Sequence, residues 1–131
     1  MILLDTHAWF WLGVRSERLS SAARAAVTDA MRSGGLGIAS VSLVEMAMLI
    51  ILGRLTPRGS PEATLHDFIE MTAVSVREIT PAIAILATQF PSDVARDPAD
   101  RIIAATARAE GLALVTRDAR LRASRLVETV W

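Results

Sequence analysis

Apolar positions along the chain come in two rhythms: short unbroken runs, and longer stretches in which they return every three or four residues. Met1 to Leu4, Leu36 to Ala39, Leu112 to Val115 and Leu126 to Val130 are runs of the first kind, each the length of a buried strand. Ala73 to Arg77 alternates and also reads as a strand. The helical rhythm predicts helices over Ala8 to Leu12, Ser20 to Met31, Ser40 or Ser42 to Gly53, and Glu62 to Met71. Two further helices open on proline, Pro81 to Gln89 behind Thr80, and a longer one behind Asp97-Pro98-Ala99-Asp100 that Gly111 closes. Thr56 to Pro61 is the clearest loop, Pro91 to Arg96 is polar, and Ala119 to Ser124 forms a short helical turn.

Strands alternating with helices imply βα units, hence an α/β fold of three layers (α/β/α) with a mostly parallel sheet covered on both faces. No repeat, linker or low-complexity tract interrupts the pattern, so residues 1–131 are expected to form a single domain.

Composition changes this picture mainly by subtraction. Fourteen basic and fourteen acidic residues cancel, so no global field attracts nucleic acid or anionic membrane, and any phosphate-binding surface must be local. There is no Cys, which excludes a thiol nucleophile, a disulfide framework and a thiolate zinc site, and which suits a reducing cytoplasm. There is no Tyr, and every basic residue is Arg, which removes phenol chemistry and lysine Schiff bases. Only His7 and His66 supply an imidazole. The start, Met1-Ile2-Leu3-Leu4-Asp5, has no basic region before an apolar core and does not read as a secretion signal. The one window resembling a membrane span, Leu36 to Gly53, carries Glu45 at its centre, where an acid costs on the order of 2.5–3.5 kcal/mol. No membrane association is expected.

Four acids then stand out by position. Asp5 follows the first strand, Glu45 lies inside the helix after the second, Asp100 opens the long C-terminal helix, and Asp118 follows the strand ending at Val115. In an open parallel sheet the C-terminal strand ends share one edge, and ligands bind in the crevice there. Carboxylates gathered at that edge repel one another, and a divalent cation removes the cost. Hard Mg²⁺ or Mn²⁺ takes oxygen ligands and suits phosphodiester hydrolysis. Each acid also has a local reading: Asp5 as helix cap, Glu45 as partner of Ser42 in an S-x-x-E capping box, Asp97 and Asp100 as cap and first-turn acid, and Asp118 as a turn residue.

Taken together, Leu3-Leu4-Asp5-Thr6-His7, Ser42-Leu43-Val44-Glu45, Asp97-Pro98-Ala99-Asp100-Arg101-Ile102-Ile103-Ala104-Ala105-Thr106-Ala107 and Leu114-Val115-Thr116-Arg117-Asp118 resemble a PIN domain. More narrowly, the chain is similar to the VapC-like ribonuclease toxins of bacterial toxin–antitoxin pairs. The resemblance spans essentially the whole chain and rests on the ordered set rather than on any one motif. It implies a parallel sheet of about five strands with helices on both sides, an acidic pocket for Mg²⁺ or Mn²⁺, and endonucleolytic cleavage of RNA. Carried over, Asp5, Glu45, Asp100 and Asp118 match the family's catalytic acids, with Asp5, Asp100 and Asp118 as metal ligands. Thr6, Asp97, Thr116 and Arg117 become supporting or substrate-contact candidates, Asp97 being a helix cap first. The resemblance also implies a homodimer and a small VapB-like antitoxin whose C-terminal segment covers the pocket, often with a basic side chain. Such a side chain replaces the metal's charge and blocks the substrate at once.

Other features are weighed more lightly. Arg117, Arg120, Arg122 and Arg125 beside Asp118 read either as a solvated helix face or as an RNA phosphate contact. His7 reads more readily as a hydrogen-bonded helix residue than as a proton donor. Trp9, Phe10 and Trp11 divide between packing and a surface, with base stacking as the functional alternative. Met46, Met48 and Leu49 to Leu52 read as core or interface. An aspartyl-nucleophile phosphatase is disfavoured, since that chemistry wants an acid where His7 stands, and a Lys. The rival from another class is a catalytically silent module whose acids bind a partner's basic segment.

Overall fold

A computed structural model describes residues 1–131. The apolar run Ile2–Leu4 forms strand β1, and Asp5 ends it by capping helix α1, Thr6–Val14: its side chain accepts a hydrogen bond from the Ala8 N–H. Ser20 caps α2, Ser21–Ser33, in the same way through Ala23. Strand β2, Leu36–Ala39, is buried along its whole length and leads into α3, Val41–Ile51. Helix α4, Pro61–Thr72, starts behind the Ser60 cap, and β3 follows at Val74–Arg77. Then come α5, Pro81–Gln89, capped by Thr80, and α6, Pro98–Glu110, capped by Asp97. Strand β4 is Leu114–Val115, α7 is Ala119–Ala123 and β5 is Thr129–Val130.

All strand pairings are parallel, in the order β3-β2-β1-β4-β5. The two-residue side-chain period of a strand sends neighbours to opposite layers. Leu3 packs with Ile83, Ala87, Ile103 and Leu114 under α5 and α6, while Leu4 packs with Ala8, Trp9, Ile38, Met46 and Val115 under α1, α2 and α3. This is the three-layer α/β/α arrangement, with an apolar cluster on each side of the sheet. The chain leaves β1 toward β2 on one side and returns to pair β4 on the other. The strand order therefore reverses beside the C-terminal end of β1, where ligands of parallel sheets bind.

Several boundaries differ from expectation for local reasons. Ala73 is not strand but the left-handed cap of α4, at φ 51, a conformation normally left to glycine. The strand run expected from Leu126 narrows to two residues, and that from Leu112 narrows likewise, because only those positions meet a partner. Between α1 and α2 a turn of 3₁₀ helix at Ser16–Arg18 had no signal in the apolar rhythm. No helix is long and apolar enough to cross a membrane, and the Leu36 to Gly53 window is β2 followed by α3.

Candidate functional site

A cleft of ≈ 500 Å³ opens at the C-terminal ends of β1 and β4. Its wall includes Asp5, Glu45, Asp97, Asp100 and Asp118, carried by the β1–α1 junction, the middle of α3, the start of α6 and the β4–α7 junction. Acids up to more than a hundred positions apart in the chain thus share one hollow, and Thr6, Thr116 and Arg117 line it with them.

Local structure holds each acid and leaves part of it free. Asp5 Oδ1 accepts the Ala8 N–H at 2.7 Å, so capping and cleft-facing roles coexist in one carboxylate. Asp118 Oδ1 accepts two N–H groups, from Arg120 and Leu121, both at 2.9 Å. Asp97 Oδ1 accepts from the Ala99 N–H at 2.8 Å. Asp100, in the first turn of α6, accepts no hydrogen bond from the protein and lines the cleft.

Glu45 is held differently from the capping box its sequence suggested. Ser40, not Ser42, precedes α3, and its side chain makes no capping bond. Ser42 is fully buried, and its hydroxyl lies 2.9 Å from Thr6 Oγ1. Thr6 in turn donates to Glu45 Oε1 at 2.6 Å. The first and third segments of the fold are therefore tied by a hydroxyl chain that fixes the Glu45 carboxylate, a charge-assisted bond of the stronger kind. Thr116, also fully buried, sits beside Asp5 and accepts the Asp118 N–H at 3.1 Å, so one hydroxyl supports both acids.

The electrostatics follow from this crowding. Burial pushes the Asp5 carboxyl above its ordinary value of 3.8; the Thr116 hydroxyl, the Ala8 N–H and His7 oppose the shift, and Asp118 reinforces it. Asp100 is pushed up to about 6, first by burial and then by the negative charge of Asp97, Glu45, Asp118 and Asp5. No arginine forms an ion pair with any of these acids. The chain's arginine–carboxylate ion pair is Arg77 with Glu110, so Arg117 on the cleft wall is bonded to none of the acids.

This donor set fits a hard divalent cation. The acids bring carboxylate oxygens, hard ligands, into one hollow, and the Asp100 carboxyl there is raised first by burial and then by the like charge around it. No three acidic or imidazole side chains close around one point as they stand.

Among the other expected residues, His7 and Trp11 line the cleft, while Trp9 is buried, its indole N–H donating to Thr72 Oγ1 at 2.8 Å. Of the arginine cluster, Arg117 lies in the cleft and Arg120 borders an adjoining hollow shared with Asp97, Asp100 and Asp118. Met46 and Ile50 are core, whereas Val44, Met48, Ile51 and Leu52 expose a stripe along and just beyond α3. Sequence reasoning missed the role of Ser42, whose three-residue spacing to Glu45 pointed to a cap.

Comparison with known proteins bears on this geometry. The PIN domain family model matches residues 2–125. Ribonuclease VapC22 of Mycobacterium tuberculosis is 37% identical over 134 residues, spanning 99% of this chain and 98% of its own. Among solved structures, the VapBC2 complex of Rickettsia felis bound to a promoter DNA fragment superposes with a TM-score of 0.71 at 13% identity, covering 98% of this chain and 97% of the other. DNA-bound VapBC from Salmonella typhimurium gives 0.69 at 20% identity with the same coverage. At these identities the structural matches speak for the fold.

Proposed function

The chain belongs to the PIN domain family, and from that premise we propose that it is a VapC-like toxin: an Mg²⁺- or Mn²⁺-dependent endoribonuclease that hydrolyses RNA phosphodiester bonds in the cytoplasm. The observation that carries the proposal is the convergence of Asp5, Glu45, Asp100 and Asp118, with Asp97, on one cleft in which none of them is ion-paired to an arginine. Its closest support outside the site is the full-length likeness to a ribonuclease.

Asp5 and Asp118 would hold the cation through the oxygen that their backbone bonds leave free, and Asp100 through a carboxylate with no hydrogen bond from the protein. When bound, Mg²⁺ or Mn²⁺ supplies Lewis-acid polarisation of the phosphoryl oxygen and acidifies water at neutral pH. The protein's own groups do the rest. Thr6 keeps Glu45 in one position, with its second oxygen available to accept a proton from the attacking water. Thr116 steadies Asp5 and the Asp118 backbone together. Arg117, unpaired on the wall, meets the RNA phosphate with a bidentate fork.

A VapB-like antitoxin neutralises this site by laying a basic side chain among the same carboxylates. Homodimerisation has apolar surface available in the exposed Val44, Met48 and Ile51 of α3. The second reading, a silent pocket that binds a basic segment, draws on the absence of three acids closed around one point. Incubating purified protein with structured RNA and Mg²⁺ or Mn²⁺, beside Asp5→Ala and Asp100→Ala, separates the two. Cleavage by the wild type alone supports the enzyme; equal RNA decay in all three preparations refutes it.

A further inference from the structure

We propose that His7, Trp11 and Trp131 form an aromatic shelf at the rim of the acidic cleft, on which one particular RNA base next to the scissile phosphate stacks and is thereby positioned for cleavage. The inference rests on the ribonuclease reading of the same cleft.

The three tryptophans divide sharply. Trp9 serves the core: it is fully buried, packs at 5.3 Å from the Phe68 ring and has its N–H bonded to Thr72. Trp11 lies two positions further along α1, a turn of about 200° that carries it to the far side of the helix. There it lines the cleft with His7, one helical turn earlier, their ring centroids 5.8 Å apart and tilted by 50°. Trp131 follows β5 and reaches Trp11 at 5.7 Å and 52°. Its place is set by the sheet: Thr116 N–H donates to the Val130 carbonyl at 3.2 Å, which brings residue 131 out at the strand end beside Thr116 and Arg117.

Both rim indoles are only partly buried, and neither N–H has a partner in the protein, in contrast to Trp9. His7 and Trp11 line the hollow with five acids and Arg117, and Trp131 extends the row from behind Trp11; the two indoles pack one side against the core and leave part of each ring exposed. They suit a ligand that carries a π-face next to a phosphate, which is a nucleotide. Stacking tolerates any base and strengthens binding by roughly tenfold or more for each base held.

The experiment takes an RNA strand that the wild type cuts and compares it intact and with one base at a time removed to leave an abasic ribose. For the wild type, removing one particular base next to the cut should raise KM about tenfold with little change in kcat. In Trp131→Leu the KM for the intact strand should rise to that level, and the same abasic site should then add nothing; Trp131→Phe should restore most of the affinity. Trp11→Leu should behave alike, and where it melts early Trp11→Phe and the Trp131 pair carry the test. A Trp131→Leu protein with the KM and abasic profile of the wild type overturns the shelf while leaving the ribonuclease standing. A wild type that cuts no RNA overturns both.

Discussion

Replacing Asp100 with Asn should make the protein more stable at neutral pH while abolishing its activity. The Asp100 carboxyl is raised from 3.8 to about 6 by burial and by four acidic neighbours. A tenfold change in an acid constant corresponds to about 1.4 kcal/mol, so the ionised form costs the native state at most about 3 kcal/mol. The side chain is half-exposed, and solvent screening reduces that to about 1–2 kcal/mol. Removing the charge also forfeits its favourable place at the start of α6, worth about 0.5 kcal/mol, which leaves a net gain near 1 kcal/mol. With an unfolding entropy of about 2.1 cal/mol/K per residue, Tm should rise by roughly 4 °C.

The sign is tied to pH. Below 3.8 the carboxyl is protonated in both folded and unfolded chains, so wild type and variant differ little by this route. As pH rises from 3.8 to 6 the unfolded chain loses its proton first and the native state is penalised; above 6 the gap is full. Thermal melts of both proteins in EDTA from pH 4 to pH 8 measure it directly. Saturating Mg²⁺ should then reverse the order, because only the wild type gains about 2.7 kcal/mol at a hundredfold excess over Kd. A variant that is no more stable at pH 7.5, with a gap that does not vary with pH, refutes the crowding of charge at this position.

Other perturbations test the parts that hold the site. Thr6→Val removes the bond to Glu45 and leaves the buried Ser42 hydroxyl without its partner; stability should fall by about 1–2 kcal/mol in denaturant melts, and kcat for RNA cleavage by roughly 10- to 100-fold. Arg117→Gln should weaken RNA binding and lower the slope of log affinity against log salt by about 0.7, as fluorescence anisotropy at several salt concentrations would record. Thr72→Val leaves the Trp9 N–H buried and unpaired, costing about 1–3 kcal/mol while leaving cleavage kinetics unchanged.

Elements whose evidence is local were legible in the sequence. The strand Leu36–Ala39 and the helix Pro81–Gln89 appear where the apolar rhythm put them, since a short buried run and a Thr-Pro start are complete signals in themselves. Asp5 and Asp118 were found because strand ends can be read from the runs that precede them, and parallel topology gives those ends a common edge. What escaped depends on distant partners. Ser42 carries the spacing of a cap, yet its hydroxyl answers Thr6, 36 positions away, which no local pattern reveals. Ala73 ended a helix where the sequence offered no glycine to mark the left-handed turn. Trp131 meets Trp11 only because β5 pairs with β4, and a strand of two residues leaves almost no trace in an apolar profile.

The central claim is that the converging acids hold a divalent cation, and diffraction from crystals grown with Mn²⁺, recorded near the manganese absorption edge, tests it most directly. The expected result is an anomalous peak in the cleft, bounded by Asp5, Asp100 and Asp118, that disappears in Asp100→Asn. A cleft without a peak at saturating Mn²⁺, or a peak bound elsewhere on the molecule, would contradict it.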